Sequence, residues 1–118
     1  MEIRRGDIYW VQLQASDESA SPIPHPYVIV QVSAPDHDNR GRVTACAVTS
    51  NIKRVSMPGN VLIEAGEANL PRRSVVEVAK VVSLDQAQLG EYIGSLGERR
   101  MTQLLAGMQF VRQFFRGT

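Results

Sequence analysis

The sequence predicts a mainly β chain, a compact antiparallel barrel or half-barrel with a helix appended at its C-terminal end. Three observations lead there. Short runs of alternating or continuous apolar residues, rich in Val, Ile and Tyr, follow one another from Asp7 to Leu96. Polar loops carrying Pro, Gly, Asn and Ser part them. Beyond Glu98 the apolar spacing lengthens to three and four residues, the period of a helix face.

Asp7 to Leu13 alternates, with Tyr9, Val11 and Leu13 on one face and Ile8 and Trp10 on the other, so it reads as a first strand apolar on both sides. From Gln14 to Pro26 the chain is a polar loop whose end alternates proline (Pro22, Pro24, Pro26), which forces an extended backbone around His25. Tyr27 to Val32 is a second strand, and Ser33 to Arg42 a second polar loop. Val43 to Asn51 begins as a buried strand and ends in Thr49-Ser50-Asn51, followed at once by Ile52-Lys53-Arg54. A turn around Met57-Pro58-Gly59-Asn60 precedes a strand from Val61 to Glu64, and Ser74 to Val82 is the last long strand. Ser83 and Asp85 are placed to cap a helical turn from Leu84 to Leu89 that Gly90 ends, with a brief strand from Tyr92 to Leu96. In the final helix Met101, Leu104, Leu105, Met108, Val111 and Phe115 share a face that Phe110 and Phe114 widen, either to cover the sheet or to meet a second copy of the chain.

With 118 residues, 43% of them hydrophobic, the chain forms one domain over 1–118 and buries a core without staples. The single cysteine, Cys46, lies inside an apolar strand, so neither a disulfide framework nor a zinc site is available to it, and a reducing, cytoplasmic setting is expected. Charge at the N-terminus excludes the usual signal peptide, and no apolar run reaches membrane-spanning length. Thirteen basic against twelve acidic residues give a net charge of +1, so any polyanion must be held by local pairs such as Lys53-Arg54 rather than by the whole-molecule field. Phosphate-loop, dinucleotide and HExxH patterns are absent, and Asp36-His37-Asp38 places three neighbours on one loop, a poor coordination sphere.

The richest chemistry sits at the exit of the Val43 to Asn51 strand. Two hydroxyls, an amide and two cations follow each other there, a set suited to an anionic phosphate, although Ser and Thr equally cap turns.

Arg5-Gly6-Asp7-Ile8-Tyr9-Trp10-Val11-Gln12-Leu13, the polar loop ending in a basic residue and Pro26, and Tyr27-Val28-Ile29-Val30 together resemble the opening of the MazF/PemK/Kid toxins of type II toxin–antitoxin systems. Val48-Thr49-Ser50-Asn51-Ile52-Lys53-Arg54, Ser74-Val75-Val76 and Ser83-Leu84-Asp85 through Leu96 resemble later pieces of the same pattern in the same order, over nearly the full chain. The resemblance implies a single MazF/PemK-like domain, a small SH3-like antiparallel barrel with a C-terminal helix, as in MazF/PemK/CcdB-like toxins. It implies a homodimer that cleaves single-stranded RNA, messenger RNA above all, without metal or other cofactor, at short specific sequences, leaving a 2′,3′-cyclic phosphate. It also implies an acidic, partly disordered antitoxin partner and no membrane.

In that family a loop arginine before the proline and the strand-end threonine form the catalytic pair, and the matching positions here are His25 and Thr49. An imidazole exchanges protons near neutrality where an arginine never does, so the exchange moves a role from charge clamp toward proton transfer. His25, Thr49 and Ser50 are therefore the expected catalytic residues, with Asn51, Lys53, Arg54, Glu77 and Lys80 expected to bind substrate. The altered loop and the Ala79-Lys80 pair leave a second reading: a binding module on the same barrel, either catalytically silent or acting by seizing a protein such as gyrase.

Overall fold

Alternating apolar residues give a strand two faces to bury, and this chain buries both. The structure, a computed structural model, describes residues 2–13, 23–33 and 41–116, with side chains as far as 113. Six strands, β1 (Asp7–Val11), β2 (His25–Val32), β3 (Arg42–Thr49), β4 (Val61–Ile63), β5 (Ser74–Asp85) and β6 (Leu89–Ser95), form one antiparallel sheet in the order β4-β5-β3-β2-β1-β6. Helix α1 spans Glu98–Arg116. The mainly β class and the terminal helix are those the sequence predicts.

One side of the sheet sets Ile8, Val28, Cys46 and Val76 against Met101 and Leu104 of α1. The other gathers Tyr9, Val11, Ile29, Val43, Ala45 and Leu84 into a second cluster. Full burial of such a side chain contributes on the order of 1.5–3 kcal/mol, far above the few tenths that separate most residues in helix propensity. Packing therefore decides where α1 lies.

The sheet curls until its end strands approach each other. A short 3-10 turn after β4, Glu67–Asn69, bridges them: Asn69 Nδ2 donates to the Ile93 carbonyl of β6 at 2.9 Å. Gly94 lies so close to the Ala68 carbonyl that a side chain there would overlap it. Arg100 of α1 secures the same turn, its guanidinium donating to Glu67 through Nη2 at 2.6 Å and Nε at 2.9 Å. Across the β1–β6 seam the buried Asp7 carboxylate accepts from Ser95 Oγ at 2.7 Å, from the Arg4 amide at 2.9 Å and from Tyr9 Oη at 3.4 Å. Burying a carboxylate is costly unless hydrogen-bond partners of this kind meet it.

Several boundaries differ from the sequence reading, and those near the cleft and the β5–β6 turn matter most. His25, expected in a loop, opens β2 opposite Val11. Its proline neighbours lack a donor, but a strand end tolerates that. β5 runs on through Leu84 to Asp85, because Val43 pairs with Leu84 and Arg42 with Asp85. The expected helical turn contracts to the 3-10 segment Gln86–Gln88, capped by Asp85 through the Ala87 amide, and the closing strand starts earlier, at Leu89. Most of the polar loop 14–26, the Asp36-His37-Asp38 group and the side chains of Phe114 and Phe115 lie outside the described residues.

Two stability predictions follow from these contacts. An added side chain at Gly107 of α1 would overlap the Gly59 carbonyl in the turn below. Alanine gains about 1 kcal/mol in helix propensity over glycine, but overpacking costs about 1–3 kcal/mol, so Gly107→Ala lowers the melting temperature by a few degrees; a rise on thermal denaturation would contradict the packing. The Arg100 hydrogen bond, foremost, holds the Glu67 carboxyl below its ordinary value. A lowered folded-state value means stability that is present above the ordinary carboxylate range and lost as pH falls through the lowered value. Melting temperature against pH should accordingly fall less steeply on the acid side in Glu67→Gln than in the wild type.

Candidate active site

Strand pairing carries the site. β1 pairs Val11 with His25 and Tyr9 with Tyr27, β2 pairs Tyr27 with Ala47, and β3 pairs Ala47 with Glu77. Residues opposite one another in an antiparallel ladder share a face, so Tyr27, Ala47 and Glu77 form one cross-strand row. Two residues farther along their strands, His25 and Thr49 fall on that face too.

The β3–β5 ladder then slips. Cys46 lies opposite Val81 while its neighbour Ala47 lies opposite Glu77, so Val78, Ala79 and Lys80 have no counterpart on β3. Such a bulge re-aims side chains and leaves backbone groups to be satisfied elsewhere. Asn60 does this: its Oδ1 accepts the Val78 amide at 3.0 Å, while its Nδ2 donates to the Arg54 carbonyl at 2.9 Å. One side chain thus ties the bulge to the 3-10 turn Ile52–Ser56. Through these constraints Lys80 Nζ comes to 3.6 Å and Arg54 Nε to 3.8 Å from Glu77 Oε1. Glu77 is buried, and its two cations reach it from solvent.

A cavity of about 480 Å³ opens over this face, lined by His25, Tyr27, Thr49, Glu77 and Lys80 over an apolar floor that includes Val11. Of the expected site residues, four therefore meet in one cleft. Thr49 Oγ1 accepts the Asn51 amide at 3.1 Å, so the turn-capping use of this hydroxyl is real. An accepting hydroxyl still has its own proton to donate. Arg54 approaches from the rim and also lines a smaller, apolar cavity of about 160 Å³ with Met57, Phe110 and Lys80. Ser50, Asn51 and Lys53 do not line the cleft: Asn51 Oδ1 caps the 3-10 turn by accepting the Lys53 amide at 3.2 Å, and Ser50 and Lys53 are exposed beside it.

Tyr27 is the cleft residue that sequence reasoning passed over. A tyrosine opening the run Val28-Ile29-Val30 reads as core, and the signal that could have found it is its two-residue spacing from His25 along one strand. Burial, and then the Glu77 charge, push its phenol above the ordinary value. Cys46, pushed up to about 12 by burial, is an inert thiol in the strand interior and has no part in the cleft. The described residues contain no cluster of three or more His, Cys, Asp and Glu side chains suited to a metal, and no helix long and apolar enough to cross a membrane.

An imidazole, a strand-end hydroxyl and a carboxylate flanked by two cations are a set able to hold a phosphodiester and move protons around it. Known proteins share this sequence pattern and architecture. Residues 4–111 match the family described as PemK-like, MazF-like toxin of type II toxin-antitoxin system. The chain is 32% identical over 111 residues to Endoribonuclease MazF2 of Mycobacterium bovis, covering 94% of this chain and 97% of that one. It is 31% identical over 104 residues to Endoribonuclease MazF of Staphylococcus epidermidis, covering 86% and 84%. A solved structure, an endoribonuclease in complex with its cognate antitoxin from mycobacterial species, shares the fold with a TM-score of 0.69 at 20% identity over 91% of each chain. On the family match and these identities, the chain belongs to the PemK-like, MazF-like toxins of type II toxin–antitoxin systems.

Proposed function

We propose that this protein is an endoribonuclease toxin that cleaves single-stranded RNA in the cleft between β2, β3 and β5, without metal. The observation that carries the reading is the convergence of His25, Thr49, Glu77 and Lys80 on one open cavity, from three strands. Relatives named as endoribonucleases over nearly the whole chain support it.

Metal-free cleavage of RNA transfers the phosphorus from one oxygen to another. The ribose 2′-oxygen forms the new bond to phosphorus, its proton passing to a base. The bond from phosphorus to the 5′-oxygen breaks, and that oxygen takes up a proton. A 2′,3′-cyclic phosphate and a free 5′-hydroxyl result. His25 is the cleft's proton-transfer group, because imidazole is the side chain suited to both accepting and returning a proton near neutrality. Thr49 donates its hydroxyl hydrogen to a non-bridging oxygen while its lone pair holds the Asn51 amide. Lys80 and Arg54 offset the charge of the phosphate at the rim, and Glu77 keeps their two heads near the cleft.

The same reading supplies the partners. An acidic, partly disordered antitoxin suits the cationic rim, and a solved relative is an endoribonuclease bound to its cognate antitoxin. A homodimer suits the exposed apolar side chains of Met57 and Phe110, which line the smaller, apolar cavity. The cytoplasm, where messenger RNA is found, is the place of action.

Purified protein incubated with long natural RNA in EDTA should produce discrete fragments ending in 2′,3′-cyclic phosphate; intact RNA of every sequence tested would overturn the assignment. His25→Ala and Thr49→Ala should each lower the cleavage rate at least about tenfold, since a general acid–base group is worth about 10²–10⁴ in rate, with the melting temperature retained. Wild-type rates in both would displace the site from this cleft.

A further inference from the structure

Resting on the reading of the cleft as an RNA-cleaving site, we propose that Tyr27 is a catalytic residue whose phenol donates a hydrogen bond to a non-bridging oxygen of the scissile phosphate, beside Thr49. The three tyrosines of the chain make the contrast that singles it out. Tyr9 Oη donates to the Asp7 carboxylate at 3.4 Å, and Tyr92 Oη shares a hydrogen bond with Ser95 Oγ at 2.6 Å. Both hydroxyls belong to the β1–β6 seam. Tyr27 Oη makes no hydrogen bond to the described residues, and it is open to solvent on the cleft side. Its ring packs against the second cluster with Val11 and Ile29, so the aromatic body is anchored while the side chain borders the cleft.

The neighbours explain why the space in front of it is open. Ala47 stands between Tyr27 and Glu77 in the cross-strand row, and its methyl group is too short to close the gap. A larger side chain there would fill the floor of the cleft. Across that gap lies the Glu77 carboxylate, with Lys80 and Arg54 within ion-pair distance of it. An uncommitted donor in a cleft it shares with Lys80, an imidazole and a second hydroxyl calls for an anionic ligand rich in acceptors, and a phosphodiester is that ligand. Burial and the Glu77 charge both oppose phenolate, so the proton stays on Tyr27 for donation across neutral pH. The bond strengthens as charge gathers on the non-bridging oxygens in the transition state, which places its effect in the chemical step.

Single-turnover cleavage of single-stranded RNA in EDTA by the wild type and by Tyr27→Phe tests this, because phenylalanine retains the ring and removes only the hydroxyl. Loss of one such donor typically costs about 10²–10³ in rate, so kcat should fall about a hundredfold, with KM changed little and the melting temperature kept. A phosphorothioate at the scissile position gives a readout that a structural role would not move. Sulfur accepts hydrogen bonds weakly, so for one of the two diastereomers the penalty of Tyr27→Phe should shrink. Wild-type kcat in Tyr27→Phe would overturn the inference and leave the nuclease reading intact, whereas a wild-type protein that cuts no RNA would overturn both. Should the variant melt lower, the phosphorothioate ratio on folded protein decides, and an undiminished penalty on both diastereomers overturns the inference.

Discussion

The slip of three residues between β3 and β5 is the constraint on which the cleft depends. Without it the ladder from Arg42 and Asp85 would run straight on, and Ala47 would face Lys80 rather than Glu77. The alternation of faces would then turn a different set of β5 side chains toward His25 and Thr49. A bulge of this size leaves backbone donors unpaired, and an unpaired buried amide costs about 1–3 kcal/mol. Asn60 removes one such cost by accepting the Val78 amide. Because the same side chain donates to the Arg54 carbonyl, the register of β5 and the backbone position of Arg54 are fixed together.

The bulge also bears on how a carboxylate comes to be buried in a cleft proposed to take an anion. Glu77 alone would repel a phosphate. Paired with Lys80 and Arg54 it belongs to a trio of formal charge +1, both cations lying within ion-pair distance of its Oε1. The cationic heads are about half-exposed while the carboxylate is buried, so the positive end of the trio is the end that faces solvent. Burial of the negative member orients the pair of positive ones.

Much of this was legible in the sequence, for physical reasons that differ by element. The strands were readable because both faces of the sheet are buried, which leaves clear apolar runs at Tyr27 to Val32 and Ser74 to Val82, and the helix was readable from the change of period at Met101 and Leu104. Ends were less readable: β5 outlasts its apolar run because pairing with Arg42 and Val43 holds Ser83 to Asp85 extended, a tertiary effect that local pattern does not carry. The prolines around His25 argued for a loop, since proline removes a donor, yet at the start of β2 the register with Val11 accommodates them. His25, Thr49, Glu77 and Lys80 were found as residues, but the slip that brings the last two to the first two has no glycine or proline to announce it. Ser50, Asn51 and Lys53 were chosen by nearness in sequence to Thr49, and the chain turns away there, using Asn51 as a cap.

Net charge reads differently once the cleft is described. A chain with thirteen basic and twelve acidic residues has no long-range pull on nucleic acid. Recognition of a polyanion must then come from short-range geometry, where charge-assisted hydrogen bonds act over a few ångströms and screening by salt matters less than in open solvent. The cleft has the parts for it: two cations held near one carboxylate, a hydroxyl fixed at a strand end by its turn, and apolar walls that lower the local dielectric. In such surroundings each donor is worth more than it would be on an exposed basic patch. On the proposed reading, contact with a phosphate would be limited to strands that can enter the cleft.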